Sequence, residues 1–436
     1  MNGISTLGRG IDFLELRFLG AAREVGKSCV AVDTGELRVA LDCGMKVHDH
    51  NEAPALDKLR FDACILSHAH LDHSGGLPVL YKHENPPTFC TFPTIPMTTL
   101  LLEDSEKLAQ INGHELPYRR TDTMKLYRKF TPLPYNTPYE FFEGSSFEFY
   151  DAGHIPGSAG ILFESKAQGK KKSVFYTGDF NSGETRLLPK AKFPRDGVNA
   201  VVVESTYAFR EHTERAALER KFINSVEDCL ADGYTALVSS FAVGRSQEVM
   251  LVLKSLLHSK TKTYLDGMSQ KVCTILADYP SYVKNYKAFA DAVKSLSFVN
   301  GGAMRKRIAQ KPCVILTTSG MLEGGPILNY LKTLNKSGKG KIFLTGFQVE
   351  GTNGRKLLDG EPLSVDGGEM DVQMPFEHFD FSAHASAKQL RDAIRRMNPE
   401  KVFCVHGDSC GAFAEDLREN GGFDAFAPAL GEKHAI

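Results

Sequence analysis

Ala63-Cys64-Ile65-Leu66-Ser67-His68-Ala69-His70-Leu71-Asp72-His73-Ser74-Gly75-Gly76 runs from a short apolar strand straight into four potential metal ligands within six residues. Imidazole nitrogen and carboxylate oxygen are the donors expected of a catalytic zinc that keeps one position open. If the segment is extended, His68 and His70 point the same way. Asp72 and His73 then need a turn or helix start to face a second ion, and Ser74-Gly75-Gly76 supplies flexible backbone there. A lone histidine reads as a structural residue. Four donors at this spacing read as a metal site.

Two distant residues complete the set if the fold brings them in. His154 lies in Gly153-His154-Ile155-Pro156-Gly157-Ser158, and Asp179 in Thr177-Gly178-Asp179-Phe180. A carboxylate such as Asp179 can bridge two cations, and metal binding brings the pKa of water toward neutrality. Asp42, after its own strand, is suited to orient a ligand imidazole. Taken singly, His154 and Asp179 read equally well as loop caps.

The chain has 436 residues, which suggests two domains by size. Hydrophobic residues make up 42% and charged residues 24%, the balance of a soluble globular protein. No apolar run approaches the roughly 18 residues of a membrane span. A net charge of −1 means that a nucleic-acid partner would have to be gripped by local basic surface, such as Arg305-Lys306-Arg307. The nine cysteines are scattered, with no Cys-x-x-Cys pair. Their odd number in a large chain argues against a disulfide framework and for the reducing cytoplasm.

The first 200 or so residues read as short strands: Leu14–Phe18, Leu37–Leu41, Ala63–Leu66, Phe147–Tyr150 and Val174–Tyr176. Several end on polar clusters, where rigid scaffolds display chemistry. From about Glu204, helical patterns at Arg215–Ala231 and Arg245–His258 alternate with apolar strands at Thr235–Val238, Val314–Leu316 and Ile342–Leu344. That alternation predicts parallel βαβ units in a second domain. Strand-end histidine motifs then return near Phe381 and Val402, as if one domain were inserted into another. The fold class is α/β.

These motifs resemble a known family. His68 to His73 with Asp42, His154 and Asp179 is similar to the ordered motifs of metallo-β-lactamase-fold hydrolases. Glu204-Ser205-Thr206-Tyr207, Phe381-Ser382-Ala383-His384 and Val405-His406-Gly407 extend the resemblance to the β-CASP nucleases. Gly244-Arg245-Ser246-Gln247-Glu248 and Ser319-Gly320-Met321 resemble segments of the nuclease subunit of the cleavage and polyadenylation specificity factor and its archaeal homologues. The resemblance implies a metallo-β-lactamase αββα sandwich with an inserted β-CASP α/β domain. Its boundaries are expected at 1–206, 207–375 and 376–436, the first and last forming one domain.

It also implies two zinc ions, with His68, His70 and His154 on one, Asp72, His73 and His406 on the other, and Asp179 bridging. Glu204 and His384 would form a pair in which His384 donates a proton to the leaving oxygen. Asp72, Asp179, Glu204 and His384 are the expected catalytic residues. DNA-directed relatives tend to carry an apolar residue where His406 stands, so the implied partner is single-stranded RNA. The implied reaction is endonucleolytic or 5′-to-3′ exonucleolytic hydrolysis in RNA processing or decay. Ser382-Ala383-His384-Ala385-Ser386 resembles ribonuclease J, where the equivalent segment grips a 5′-phosphate. Ser382 and Ser386 are therefore candidate substrate-binding residues, although Ser386 reads equally as the cap of a helix starting near Ala387. Arg245, in the inserted segment, is a further substrate-binding candidate as a phosphate ligand, and reads equally as part of a structural salt bridge. The rival readings are a nuclease acting on DNA and a small-ester metallohydrolase. Whether the chain acts as a homodimer or within an RNA-processing assembly is left open.

Overall fold

The computed structural model of the chain describes residues 14–46, 51–167, 170–195, 197–258 and 260–436. Residues 1–13 of the expected first segment lie outside the described residues. The chain divides into two compact units. The first comprises Met1–Glu184, Lys190–Glu211 and His384–Ile436; the second comprises Thr185–Pro189 and His212–Ala383.

The first unit contains two seven-stranded sheets. In the first sheet the strands lie in the order Lys433–Ala435, Glu15–Gly20, Cys29–Asp33, Arg38–Leu41, Ala63–Ile65, Thr88–Cys90 and Phe130–Pro132. The second runs Asp424–Phe426, Pro399–Val405, Val198–Glu204, Lys170–Tyr176, Ala159–Ala167, Ser145–Asp151 and Tyr139–Phe142. Alternate side chains of a strand face opposite ways, and here both faces are covered. Val174 and Tyr176 enter a core shared with Phe18, Val32, Val39, Phe149, Phe163 and Phe403 between the sheets. Phe175, between them in sequence, joins Leu390, Ile394, Phe413 and Leu417 on the outer face. Cys29, Ala40 and Cys64 likewise meet Leu77, Leu102 and Leu126 outside the first sheet. The layers are helix, sheet, sheet, helix, which is the αββα sandwich expected.

Convergence of the strand ends follows from strand direction. Arg38–Leu41 runs parallel to Ala63–Ile65, and Lys170–Tyr176, Val198–Glu204 and Pro399–Val405 are mutually parallel neighbours. Parallel neighbours bring their C-terminal ends to one edge, where ligand sites form in α/β sheets. Asp42, the His68–His73 segment, Asp179, Glu204 and His406 all stand at such ends.

The second unit is built on a six-stranded sheet in the order Ser297–Phe298, Thr263–Asp266, Val314–Thr317, Thr235–Ser239, Gly340–Leu344 and Phe376–His378. Every neighbouring pair in it is parallel, as the alternation of strands and helices predicts. Leu237, Ile315, Ile342, Tyr330 and Leu334 belong to its core. The helix Arg215–Ala231 spans the residues expected, with the Glu214 carboxylate accepting from the N–H groups of Ala216 and Ala217. The next helix, Arg245–Leu256, stops short of the expected His258 because Leu257 turns to extended backbone. Among the described residues no helix is long and apolar enough to cross a membrane. All nine cysteines are buried and unbridged.

Candidate metal centre

The His68–His73 segment is pinned by its backbone as well as its side chains. Leu71–Ser74 forms one helical turn, the helix start that Asp72 and His73 require. Ser28 donates its N–H to the Asp72 carbonyl at 2.7 Å, and Cys43 donates to the His73 carbonyl at 3.0 Å. The backbone crosses so closely at Gly44 that a Cβ there would lie 1.7 Å from the Asp72 carbonyl oxygen. Only glycine fits that crossing.

Asp42 sits beneath this segment, fully buried. Its carboxylate accepts from the Ser67 N–H at 2.6 Å, the Ser67 hydroxyl at 2.7 Å, the Tyr176 hydroxyl at 2.8 Å and His73 Nδ1 at 2.6 Å. With its proton on Nδ1, His73 presents the Nε2 lone pair to the site. Ser67 Oγ also lies 3.0 Å from His68 Nδ1 and so supports the same orientation of a second imidazole.

Around the His68–His73 segment two groups of donors result, beside a third made of Asp179, Glu204 and His384, and within each the ligand atoms lie within 4.8 Å of one another. One comprises His68, His70, His154 and Asp179; the other comprises Asp72, His73, His406 and Asp179. Asp179 belongs to both, and its two oxygens divide between them. Oδ2 lies 3.7 Å from His68 Nε2 and 3.7 Å from His154 Nε2. Oδ1 lies 3.3 Å from His73 Nε2 and 3.4 Å from His406 Nδ1. His154 Nε2 is 3.1 Å from His70 Nδ1, and His406 Nε2 is 3.2 Å from Asp72 Oδ2. Gly178, with φ of +52°, lets the chain turn Asp179 inward where a Cβ would stand 2.9 Å from that of Ser67.

The electrostatics fit cations. Burial holds the pKa of His68 well below that of a free imidazole and lowers that of His70, so both present neutral nitrogens. Burial also opposes charge on His73, but Asp179, Asp42 and Asp72 outweigh it and raise its pKa well above the ordinary value. His406 is raised against its burial by Asp179 and Asp72. Burial works to raise the carboxyl pKa of Asp179, yet His406, His73 and His384 hold it well below the usual range. Protons on His73 and His406 thus balance the carboxylates, and a divalent cation would supply the same charge and release them. Among the described residues, His68 Nε2 and Asp179 Oδ1 are buried without a hydrogen-bond partner. Native proteins rarely leave such atoms unsatisfied, and a metal would satisfy both.

A second pair adjoins the donors. His384 Nδ1 lies 3.1 and 3.0 Å from the two oxygens of Glu204, which also accepts from the Phe180 N–H at 3.1 Å. His384 Nε2 is left toward the centre, 4.0 Å from Asp179 Oδ2. Burial disfavours the imidazolium, but Glu204 first and then Asp179 lift its pKa to about 9.

The remaining candidates belong to none of these donor groups. Arg245 is buried on the first turn of its helix and Ser382 is half-buried, both in the second unit. Ser386 caps the helix Ala387–Met397, and its hydroxyl donates to Glu211 Oε2 at 2.7 Å. Sequence reasoning did not single out Ser67, Tyr176 or Glu211. Ser67 could have been noted as the hydroxyl directly before the motif, and Tyr176 as the last residue of a strand leading to Asp179. Nothing local marks Glu211.

Three family descriptions match successive parts of the chain. Residues 37–215 match the Beta-lactamase superfamily domain, 246–357 the Beta-Casp domain, and 369–428 the Zn-dependent metallo-hydrolase RNA specificity domain. The chain is 35% identical to "Probable RNase MJ4" of Methanocaldococcus jannaschii, over 97% of this chain and 100% of that protein. It is 35% identical to the "Transcription termination factor FttA" of the same organism, over 94% of this chain and 70% of the relative. A crystal structure of a protein of unknown function from Enterococcus faecalis V583 shares the fold, with a TM-score of 0.61 and 14% identity over 97% of this chain and 100% of that one.

Proposed function

The chain belongs to the β-CASP family of metallo-β-lactamase-fold nucleases, and on that premise we propose that it is a zinc-dependent ribonuclease that hydrolyses phosphodiester bonds of single-stranded RNA. The observation that carries this reading is the division of the two Asp179 oxygens between two histidine-rich donor groups, with the Glu204–His384 pair beside them. The RNA specificity domain family is matched by residues that include both His384 and His406. A relative matched over its whole length bears the name "Probable RNase MJ4", which favours RNA over DNA.

In this reading His68, His70 and His154 would hold one zinc ion and Asp72, His73 and His406 the other, with Asp179 available to both. Such a pair of ions supplies Lewis-acid charge and a water of near-neutral pKa. The chain's own residues do the rest. Asp42 fixes His73 with its Nε2 lone pair inward. Glu204, itself held by the Phe180 N–H, fixes His384 with Nδ1 bound and stabilises the imidazolium. His384 then gives its Nε2 proton to the oxygen leaving phosphorus, which would otherwise depart as an alkoxide. Nine buried free thiols are in keeping with a reducing, cytoplasmic setting for RNA processing or decay.

The test is incubation of the zinc-loaded protein with internally labelled single-stranded RNA, matched DNA and a simple ester, with and without chelator. Chelator-sensitive cleavage of RNA well ahead of the others is expected. Cleavage of DNA at an equal or higher rate, or turnover of the ester alone, would refute the reading.

A further inference from the structure

The helix Ala387–Met397 begins three residues after His384. The first backbone N–H groups of a helix lack partners within it, and with the helix dipole they form the usual seat for a phosphate. Here every one of them has a partner. The Ser386 N–H donates to Gln389 Oε1 at 3.0 Å, and the Ala387 N–H to the Arg210 carbonyl at 2.9 Å. The Lys388 N–H donates to Glu211 Oε1 at 2.7 Å, and the Gln389 N–H to Ser386 Oγ at 3.5 Å. The Ser386 hydroxyl donates to the second oxygen of Glu211 at 2.7 Å. Even the Lys388 ammonium is taken up, by Asp392 at 2.7 Å. Glu211 therefore occupies, with both carboxylate oxygens, the hydroxyl and the N–H that an incoming phosphate would need.

We propose that Glu211 is a specificity-determining residue: an anion built into the chain that closes this helix start to a terminal phosphate, so that RNA is cleaved without its 5′ end being read. The proposal rests on the ribonuclease reading above. A terminal phosphate carries nearly two negative charges. To bind here it would have to displace a carboxylate already seated at the positive end of the helix, or lie against it; both are unfavourable. The closed helix start also adjoins the reacting groups. Glu211 follows Glu204 by seven residues and Ser386 follows His384 by two, while Glu204 and His384 are themselves joined at 3.0 Å. An end-reading site at this place would lie close in the chain to the proton donor, and Glu211 holds the donors it would use.

The experiment uses the zinc-loaded full-length protein and one internally labelled RNA prepared with a 5′-monophosphate, with a 5′-hydroxyl, and as a circle. Wild type is expected to cut all three at initial rates within about twofold of one another. Glu211→Ala frees the Ser386 hydroxyl and the Lys388 N–H and is expected to cut the 5′-monophosphate form at least about fivefold faster than the 5′-hydroxyl form. Glu211→Gln keeps an acceptor for the Lys388 N–H without the charge and should show a smaller preference of the same sign. It also decides the matter if the alanine variant melts early. Wild-type preference for the 5′-monophosphate of about fivefold or more overturns the proposal, as does a folded Glu211→Ala or Glu211→Gln variant with no end preference. Failure of wild type to cut any of the three would instead strike the ribonuclease reading itself.

Discussion

Asp42 accepts the Nδ1 proton of His73 at 2.6 Å, across 31 residues of sequence, and so turns Nε2 of His73 toward Asp179. A carboxylate behind a ligand imidazole typically contributes about 10–100-fold to metal affinity. Asp42→Asn keeps the volume but removes the charge. Zinc affinity, measured by competition against a chromophoric chelator, is expected to fall within that range. An unchanged affinity would show that His73 is oriented by something else.

Tyr176 donates its hydroxyl to the same carboxylate at 2.8 Å. Tyr176→Phe removes one hydrogen bond from a buried charged group, a loss of about 1.5–3 kcal/mol. The variant is expected to melt below wild type and to bind zinc more weakly, while a distant Tyr→Phe change does neither. Normal zinc affinity with a lowered Tm would make Tyr176 structural only.

His384 and Glu204 are expected to separate chemistry from metal binding. His384→Ala and Glu204→Gln should lower kcat for RNA cleavage by about 10²–10⁴-fold, the usual size of general-acid assistance. Zinc content should stay at the wild-type level, because neither residue is needed to complete either donor group. Wild-type kcat in His384→Ala would remove it from proton transfer.

Zinc binding should weaken in acid. The carboxylates of Asp179, Asp42 and Asp72 raise the pKa of His73 against its burial, and Asp179 and Asp72 raise that of His406, which favours protons on both rings in the absence of a cation. A metal must displace those protons, and lowering pH makes that harder. Apparent affinity is expected to fall steadily between about pH 8 and pH 6, with proton release visible as buffer-dependent binding heats. Affinity that is flat across this range would contradict the charge balance described.

Much of this centre was legible in the chain because its ligands stand where apolar strands stop. The His68–His73 segment, Asp179 and His406 each follow a strand readable from its apolar residues, and family motifs supplied their roles. Beyond Asp42, the supporting residues were not legible. Tyr176 reaches Asp42 across 134 positions and Glu211 reaches Ser386 across 175, and no local pattern encodes either meeting. Strand order hides for the same reason. Val198–Glu204 lies beside Pro399–Val405 although His212–Ala383, nearly all of the second unit, separates them in the chain. Helix ends depend on single residues: the helical pattern set the start at Arg215, which Glu214 caps, but nothing in Leu257 announced its turn to extended geometry.

The central claim is a two-zinc centre shared through Asp179, and bound zinc per chain in wild type and Asp179→Asn, measured by elemental analysis after gel filtration, tests it most directly. Two zinc ions per chain in wild type, and substantial loss from both sites in the folded variant, are predicted. A single zinc in saturated wild type, or two retained in Asp179→Asn, would contradict the account.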